Sequence, residues 1–196
     1  MTQLILASQS PRRRTMLGWL DLPFETTAAA IDESPRDHET PLALATRLAR
    51  RKAIAAHDGR GPAGPILTAD TVVDLDGRSL GKQATPEAAR TMLRALRCTP
   101  HTVHTCLALG DPEDGHAVRC RCVTTEVRMR PYTDGEIDRY VATGDPLDKA
   151  GGYAIQHAGF HPVATVDRCY ATVVGLPFCG LAALLRPLWD LDTEAM

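Results

Sequence analysis

The sequence predicts an α/β fold, in which residues 1–196 form a single elongated mixed-sheet domain with two lobes and a deep cleft. Segments with strand and helix periodicity alternate irregularly along the chain, which is typical of a mixed sheet covered by helices. Two long strand-like segments surround the turn GDPEDG, which indicates an antiparallel hairpin in the middle of the chain. No internal repeat or low-complexity linker divides the sequence into smaller units.

The first elements are a short apolar strand at residues 3–8 and a helix that follows it. Ser10 is a favourable N-cap residue and Pro11 suits the first position of a helix, which is expected to run to residue 20. A second strand is predicted at residues 24–29, before an acidic loop. The amphipathic segment 41–57 predicts a long helix, which glycines and prolines then break.

The central part of the chain is predicted to be rich in strands. The apolar segment ILTADTVV, residues 66–73, reads as a buried strand, and Asp76-Gly77 after it is a typical hairpin turn. A helix is expected at residues 86–97. The hairpin strands around GDPEDG are expected at residues 101–110 and 116–130.

The last part of the chain begins with a predicted helix at residues 133–143 and continues as a glycine-rich loop region at 144–159. Short strands are predicted at 163–166 and 171–174, because both segments contain β-branched residues. The apolar segment 175–189 predicts a closing helix.

Composition and charge exclude several classes of function. The formal net charge is −2, whereas a nucleic-acid-binding or membrane-binding surface favours a broad excess of Lys and Arg. The basic residues are instead grouped at 12–14 and 47–52, which suits a small anionic ligand. The first twenty residues do not have the pattern of a signal peptide, and no apolar run reaches transmembrane length.

The six cysteines are predicted to be reduced thiols, because they are scattered through apparent core segments of a chain large enough to fold without disulfides. This usage predicts a cytoplasmic protein.

Residues 8–13 contain the side chains needed for a phosphate site. Ser8 and Ser10 supply hydroxyl groups, Arg12 and Arg13 supply guanidinium donors, and the helix start supplies free backbone N–H groups. A capped helix with surface arginines is the simpler alternative.

Two charged residues occur within apolar elements. Lys52 lies on the apolar face of the predicted helix, either with its ammonium reaching the surface or with that group in a cleft. Asp70 lies in a strand that otherwise reads as buried, where a carboxylate must be paired, hydrogen-bonded or metal-bound. Thr71 follows it, and Glu33 and Lys82 could join the same site.

The loop DKAGGYAIQ offers a candidate site for a nucleobase. Its paired glycines allow close backbone approach, and the amide of Gln156 matches the N3–H and O4 edge of uracil or thymine. A loop glutamine without a ligand is the alternative.

The segments that contain these residues resemble one known family when taken in order. They resemble the Maf family of nucleoside triphosphate pyrophosphatases from residue 4 to about residue 185, in LILASQSPRRRTML, IDES, RLARRKA, TADTVVDLDGRSLGK, LDKAGGYAIQ and VVGLP. The blocks SPRR, ADTVV and DKAGGYAIQ are specific to this family. One departure is His157, where the family usually has glycine.

The resemblance implies a fold related to inosine triphosphate pyrophosphatases, with hydrolysis of nucleoside triphosphates to monophosphate and pyrophosphate. It also implies a divalent metal cation, Mg²⁺ or Mn²⁺, for which Glu33 and Asp70 are the expected ligands. Asp70 corresponds to the proton acceptor, with Glu33, Lys52 and Lys82 as further catalytic residues. The expected substrate-binding residues are Ser8, Arg12, Arg13, Thr71 and Gln156.

The resemblance also implies a substrate. Arg12, Thr71 and Gln156 match the subgroup that acts on dTTP and UTP, whereas the 7-methyl-GTP subgroup has Trp, Gln and Glu at these positions. A 7-methyl-GTP pyrophosphatase and a non-catalytic nucleotide-binding regulator of cell division are the alternatives. The expected partner is a small nucleotide, without a nucleic acid polymer or a membrane, and a homodimer stays open beside a monomer.

Overall fold

The computed structural model of the protein describes residues 3–60, 64–114 and 116–186. Seven strands in this part of the chain form one mixed sheet. They are β1 Leu4–Ala7, β2 Phe24–Thr27, β3 Ile66–Leu75, β4 Arg78–Leu80, β5 Pro100–Gly110, β6 Val118–Met129 and β7 Val163–Val166. The mixed α/β architecture predicted from the sequence is therefore confirmed.

Six α-helices and two short 3₁₀ segments accompany these strands in the described residues. The helices are α1 Pro11–Gly18, α2 Pro41–Arg60, α3 Pro86–Leu96, α4 Asp134–Ala142, α5 Tyr170–Val174 and α6 Phe178–Leu185. The 3₁₀ segments are Asp145–Asp148 and Ala150–Gly152. Serine or threonine N-caps begin α1, α3 and α4, as expected for residues whose hydroxyl accepts from a free helical N–H.

The strands follow the order β2-β1-β3-β5-β6-β7, and β4 pairs with β3. β1 runs parallel to β2 and β3, whereas the pairs from β3 to β7 are antiparallel. The predicted hairpin is β5 and β6, whose eleven register pairs start at Pro100↔Arg128 and end at Gly110↔Val118. These two strands and β3 form the central, longest part of the sheet.

Helices cover the two faces of the sheet unequally. Helix α2 is the helix of the described residues that packs on one face, through its buried residues Leu44, Ala45, Leu48, Ala49 and Ala53. The other face holds two further clusters, one with α1 and α6 over the β1 end and one with α3 and α4 over the β7 end. No helix among the described residues is long and apolar enough to cross a lipid bilayer.

The predicted strand at 171–174 is wrong, because this segment belongs to helix α5. Its β-branched residues favour a strand, but Gly175 adopts φ 115° and ends the helix in the left-handed conformation. The backbone N–H groups of Gly175 and Leu176 both donate to the carbonyl of Ala171, which closes the helical turn. The last predicted residues, 187–189, lie outside the described part of the chain.

The prediction of six reduced cysteines is also wrong, because Cys106 and Cys122 form a disulfide. They are directly opposite each other in the register of β5 and β6, with Cα atoms 4.0 Å apart. Sequence spacing did not indicate this pairing, since it depends on how the hairpin strands align. The cysteines at positions 98, 120, 169 and 179 are free thiols.

We expect Leu107→Ala to lower the free energy of unfolding by about 3 kcal/mol, because its fully buried side chain would leave a cavity between β5 and α6. Leu42→Ala is the matched control, since Leu42 is 41% exposed at the start of α2. Urea denaturation of both variants measures the difference. Equal losses in the two variants would contradict this account of the core.

Candidate active site

The candidate site is a cavity of about 620 Å³ along one edge of β3. β3 pairs with β1 at Ile66 and Leu67, and with β4 from Val73 onwards. Between these partners, no described strand covers that side of β3, so Asp70 and Thr71 both reach the cavity. A break between neighbouring strands is a common position for a ligand site in α/β proteins.

The loop from β1 to α1 forms one wall of this cavity. Ser10 caps α1 by accepting from the backbone N–H of Arg13, at 3.4 Å. The Ser8 hydroxyl accepts from the backbone N–H of Ser10 at 3.3 Å and from Nη1 of Arg13 at 3.4 Å. Arg12 also lines the cavity. The residues predicted to hold phosphate therefore meet at a helix N-terminus, where the dipole favours an anion.

Lys52 and two carboxylates form the opposite wall. Lys52 extends from α2, and its Nζ lies 2.6 Å from Oδ1 of Asp70 and 2.7 Å from Oε1 of Glu33. The side chain of Asp70 is 9% exposed, whereas that of Glu33 is 51% exposed. The single ammonium thus forms ion pairs with both carboxylates in the cavity, and the pair with Asp70 explains why a carboxylate is tolerated in a buried strand.

Lys52 contacts both carboxyl groups, but their pKa values are shifted in opposite directions. Burial raises the pKa of Asp70 above its usual value, against the opposing effect of Lys52 and Arg13. Burial also acts to raise the pKa of Glu33, but the hydrogen bond and charge of Lys52, with Lys82 and Arg13, lower it overall. The pKa of Asp70 is therefore shifted in the direction that suits a group that takes up a proton, whereas the pKa of Glu33 is shifted in the opposite direction.

Lys82 and the loop after α4 complete the cavity. Lys82 follows Gly81, whose carbonyl accepts from the backbone N–H of Gly151 at 3.3 Å. Gly151 has φ 69°, and a Cβ there would lie 3.1 Å from Val73, so the close approach requires glycine. The ammonium of Lys149 uses its three N–H donors on the carbonyl and carboxylate of Asp145 and on the carboxylate of Asp148. Lys149 therefore holds the loop rather than a ligand.

The structure brings eight of the nine predicted site residues to this cavity, namely Ser8, Arg12, Arg13, Glu33, Lys52, Asp70, Thr71 and Lys82. Gln156 is the exception, since its side chain is exposed and does not line the cavity. No group of three His, Cys, Asp or Glu side chains that could hold a metal ion occurs among the described residues.

Two further residues shape the site, and neither was predicted from the sequence. Gly175 accepts from Nε of Arg13 through its carbonyl, at 2.8 Å. Thr105, fully buried on β5, bonds the hydroxyl of Thr71 at 2.9 Å. The VVGLP block, which resembles the family, indicated the segment that contains Gly175. Nothing in the sequence around Thr105 indicates its contact with Thr71, because a threonine is common inside a strand.

A sequence model of one family, described as Maf-like protein, matches residues 3–188. The chain belongs to the Maf family. The match includes the cavity residues of β1, α1, α2 and β3, so these walls are parts of a Maf domain.

Curated relatives are similar to this Maf protein over most of its length. A dTTP/UTP pyrophosphatase of Pelotomaculum thermopropionicum is 42% identical over 186 residues, which are 95% of this chain and 96% of the relative. A dTTP/UTP pyrophosphatase of Anaeromyxobacter dehalogenans is 45% identical over 185 residues, 94% of this chain and 93% of the relative.

Solved structures support the fold of the Maf domain at lower identity. A HAM1 protein from Coxiella burnetii has a TM-score of 0.54 and 19% identity, over 97% of this chain and 100% of that chain. The Ham1 protein of Staphylococcus aureus has a TM-score of 0.51 and 13% identity, over 96% of this chain and 98% of that chain. At these identities the likeness is one of fold.

We expect Lys52→Met to raise the pKa of Asp70 further, because the variant lacks the positive charge that favours the ionised carboxylate. The pKa of Glu33 should rise as well, since Lys52 lowers it. The pH dependence of the carboxyl ¹³C shifts, recorded without divalent cations, measures both. Arg51→Met, an exposed position on the same helix, is the control. An unchanged or lower Asp70 pKa in Lys52→Met would contradict the pairing.

Proposed function

We propose that this Maf protein hydrolyses nucleoside triphosphates, dTTP and UTP above all, to the monophosphate and pyrophosphate. The observation that carries the proposal is the convergence of Lys52, Glu33 and Asp70 on one cavity with the Ser8–Arg13 loop. The names of the curated relatives support the same activity and the same substrates.

The charge of the cavity suits a triphosphate, which carries about four negative charges at neutral pH. Five cationic side chains line the cavity and three carboxylates oppose them, so the lining has a formal charge of +2. The cations are Arg12, Arg13, Lys52, Lys82 and Lys149, and the carboxylates are Glu33, Asp70 and Asp148. Phosphoryl transfer depends mainly on positioning and on such charge stabilisation.

The donor set also suits Mg²⁺ or Mn²⁺, which we propose as the cofactor. Mg²⁺ is usually held by one or two carboxylates together with substrate phosphates and water. Lys52 contacts one oxygen each of Asp70 and Glu33, so these two carboxylates could hold the ion beside the triphosphate. When bound, the ion would supply charge neutralisation at the phosphate oxygens.

In the proposed reaction, Asp70 accepts a proton from the water that attacks the α-phosphorus. A bond forms between the water oxygen and the α-phosphorus, and the bond from this phosphorus to the bridging oxygen breaks, which releases pyrophosphate. Arg12, Arg13 and Lys82 stabilise the charge of the phosphates and the leaving group. The raised pKa of Asp70 brings this carboxylate closer to the basicity that proton transfer needs.

We expect Asp70→Asn to lower kcat for dTTP by about a hundredfold or more, because the amide does not accept the proton of water. Asp74→Asn is the matched control, since Asp74 lies on the same strand outside the cavity and bonds His104 and the Gly77 N–H. Pyrophosphate release with Mg²⁺ or Mn²⁺ measures both variants. Full activity of Asp70→Asn would overturn the assignment.

The role of Gln156 in recognising the base stays a prediction, because the structure places this side chain outside the cavity lining. We expect Gln156→Glu to lower rates on dTTP and UTP about tenfold relative to CTP and ATP, since a carboxylate does not donate to O4. Rates of wild type and variant are compared across dTTP, UTP, CTP, 7-methyl-GTP and ATP. Unchanged relative rates would show that Gln156 does not select the base, and preference of the wild type for 7-methyl-GTP would overturn the proposed substrate.

The proposed partner is a free nucleotide. A cytoplasmic location stays a prediction. The Cys106–Cys122 disulfide does not favour it, because cytosolic thiols are usually reduced. Light scattering of the purified protein distinguishes a homodimer from a monomer.

A further inference from the structure

A chain of hydroxyl groups connects Arg13 to helix α5, which packs on the same face of the sheet as α1. Nη2 of Arg13 donates to Oγ1 of Thr71 at 2.9 Å, and Oγ1 of Thr71 lies 2.9 Å from Oγ1 of Thr105. Oγ1 of Thr105 donates to the backbone carbonyl of Thr172 in α5, at 2.7 Å. Thr71 and Thr105 are register partners on β3 and β5, so the pairing of these strands brings their hydroxyls together.

The direction of every hydrogen bond in this chain follows from its two ends. The Thr172 carbonyl only accepts, so Thr105 uses its single hydroxyl proton there. Thr105 must then accept from Thr71, which commits the proton of Thr71 as well. The oxygen of Thr71 is left as an acceptor, which matches the guanidinium of Arg13, a group that only donates.

A second contact holds the same guanidinium from the end of α5. Nε of Arg13 donates to the carbonyl of Gly175 at 2.8 Å. Gly175 has φ 115°, and a Cβ on this residue would lie 3.2 Å from both Nε of Arg13 and Oγ1 of Thr71. The guanidinium is therefore fixed by α5 twice, directly through Gly175 and indirectly through Thr105.

Fixing the guanidinium leaves part of it available to a ligand. Arginine has five N–H donors, and the contacts to Gly175, Ser8 and Thr71 use three of them, which leaves two for the cavity. A planar donor group held in one orientation binds phosphate oxygens with less loss of side-chain entropy.

We propose that Thr105 is a positioning residue, which orients Arg13 toward the substrate phosphates through Thr71. Because the proton of Thr71 is committed to Thr105, Thr71 does not donate to the base. This inference rests on the proposed function, in which Arg13 binds the triphosphate. Thr105 itself does not line the cavity.

The test compares Thr105→Val, which removes the hydroxyl at nearly constant volume, with Thr105→Ser, which keeps it. We expect Thr105→Val to lower kcat/KM for dTTP about tenfold, mainly through KM, because the Thr71 hydroxyl loses the acceptor that holds its oxygen toward Arg13. Thr105→Ser should stay within about twofold of wild type, since the chain of hydrogen bonds is intact. Equal losses in both variants would overturn the proposal.

A double-mutant cycle separates positioning from a general structural effect. In an Arg13→Lys background, Thr105→Val should cost less than about twofold, because the guanidinium that it orients is gone. A tenfold cost in both backgrounds would overturn the proposal. Thr125→Val is the matched control, since this buried threonine bonds the backbone of Cys169 before α5 without touching Arg13. If Thr125→Val lowers kcat/KM as much as Thr105→Val does, the loss comes from a change in α5 and not from the orientation of Arg13.

Two further measurements keep the test independent of folding yield and of the reaction. If Thr105→Val does not fold, Thr105→Ala replaces it and is compared with Thr105→Ser, with the same expected difference. The ¹⁵Nη2–H resonance of Arg13, which belongs to the group that donates to Thr71, is assigned by its loss in Arg13→Lys and should exchange with water about tenfold faster in Thr105→Val. Unchanged exchange would overturn the positioning role, whereas a wild type that exchanges slowly but releases no pyrophosphate would contradict only the proposed function.

Discussion

The buried carboxylate of Asp70 and its neutralisation by Lys52 are the constraint on which the site depends. An isolated charge in an apolar strand is costly, so Asp70 requires an ion-pair, hydrogen-bond or metal partner. Helix α2 meets this requirement by packing its apolar face against β3 and β5, which carries Lys52 to 2.6 Å from Asp70. The helix that covers this face of the sheet therefore also supplies the charge that makes the buried carboxylate tolerable.

The arrangement of strands explains why this pair faces an open space. Because β1 is short and β4 joins β3 only at its far end, the middle of β3 has no neighbouring strand on that side in the described structure. Side chains that point to opposite faces of the sheet, such as Asp70 and Thr71, can then contribute to one cavity. The carboxylates and Lys52 contact each other on the α2 side, and the hydroxyl chain connects Arg13 to α5 on the other side.

Much of the site was predictable because single residues conflict with their local surroundings. A charged residue within an apolar strand or on an apolar helix face must find a partner, and this rule selects Asp70 and Lys52. The cap of α1 was also local information, since Ser10 and Pro11 determine where the helix begins. The position of Gln156 was not predictable in this way, because an exposed loop glutamine and a cavity glutamine have the same neighbours in sequence.

The sequence by itself determined the α/β class, most helices and strands, and the types of charge in the site, because periodicity, capping and isolated charges act within a few residues. The tertiary structure alone decided the pairing of Cys106 with Cys122, the helical form of α5 and the direction of the hydrogen bonds from Thr105 through Thr71 to Arg13. Each of these depends on strand register or on packing between segments far apart in the chain. Such contacts are set by the whole fold, and local preferences do not encode them.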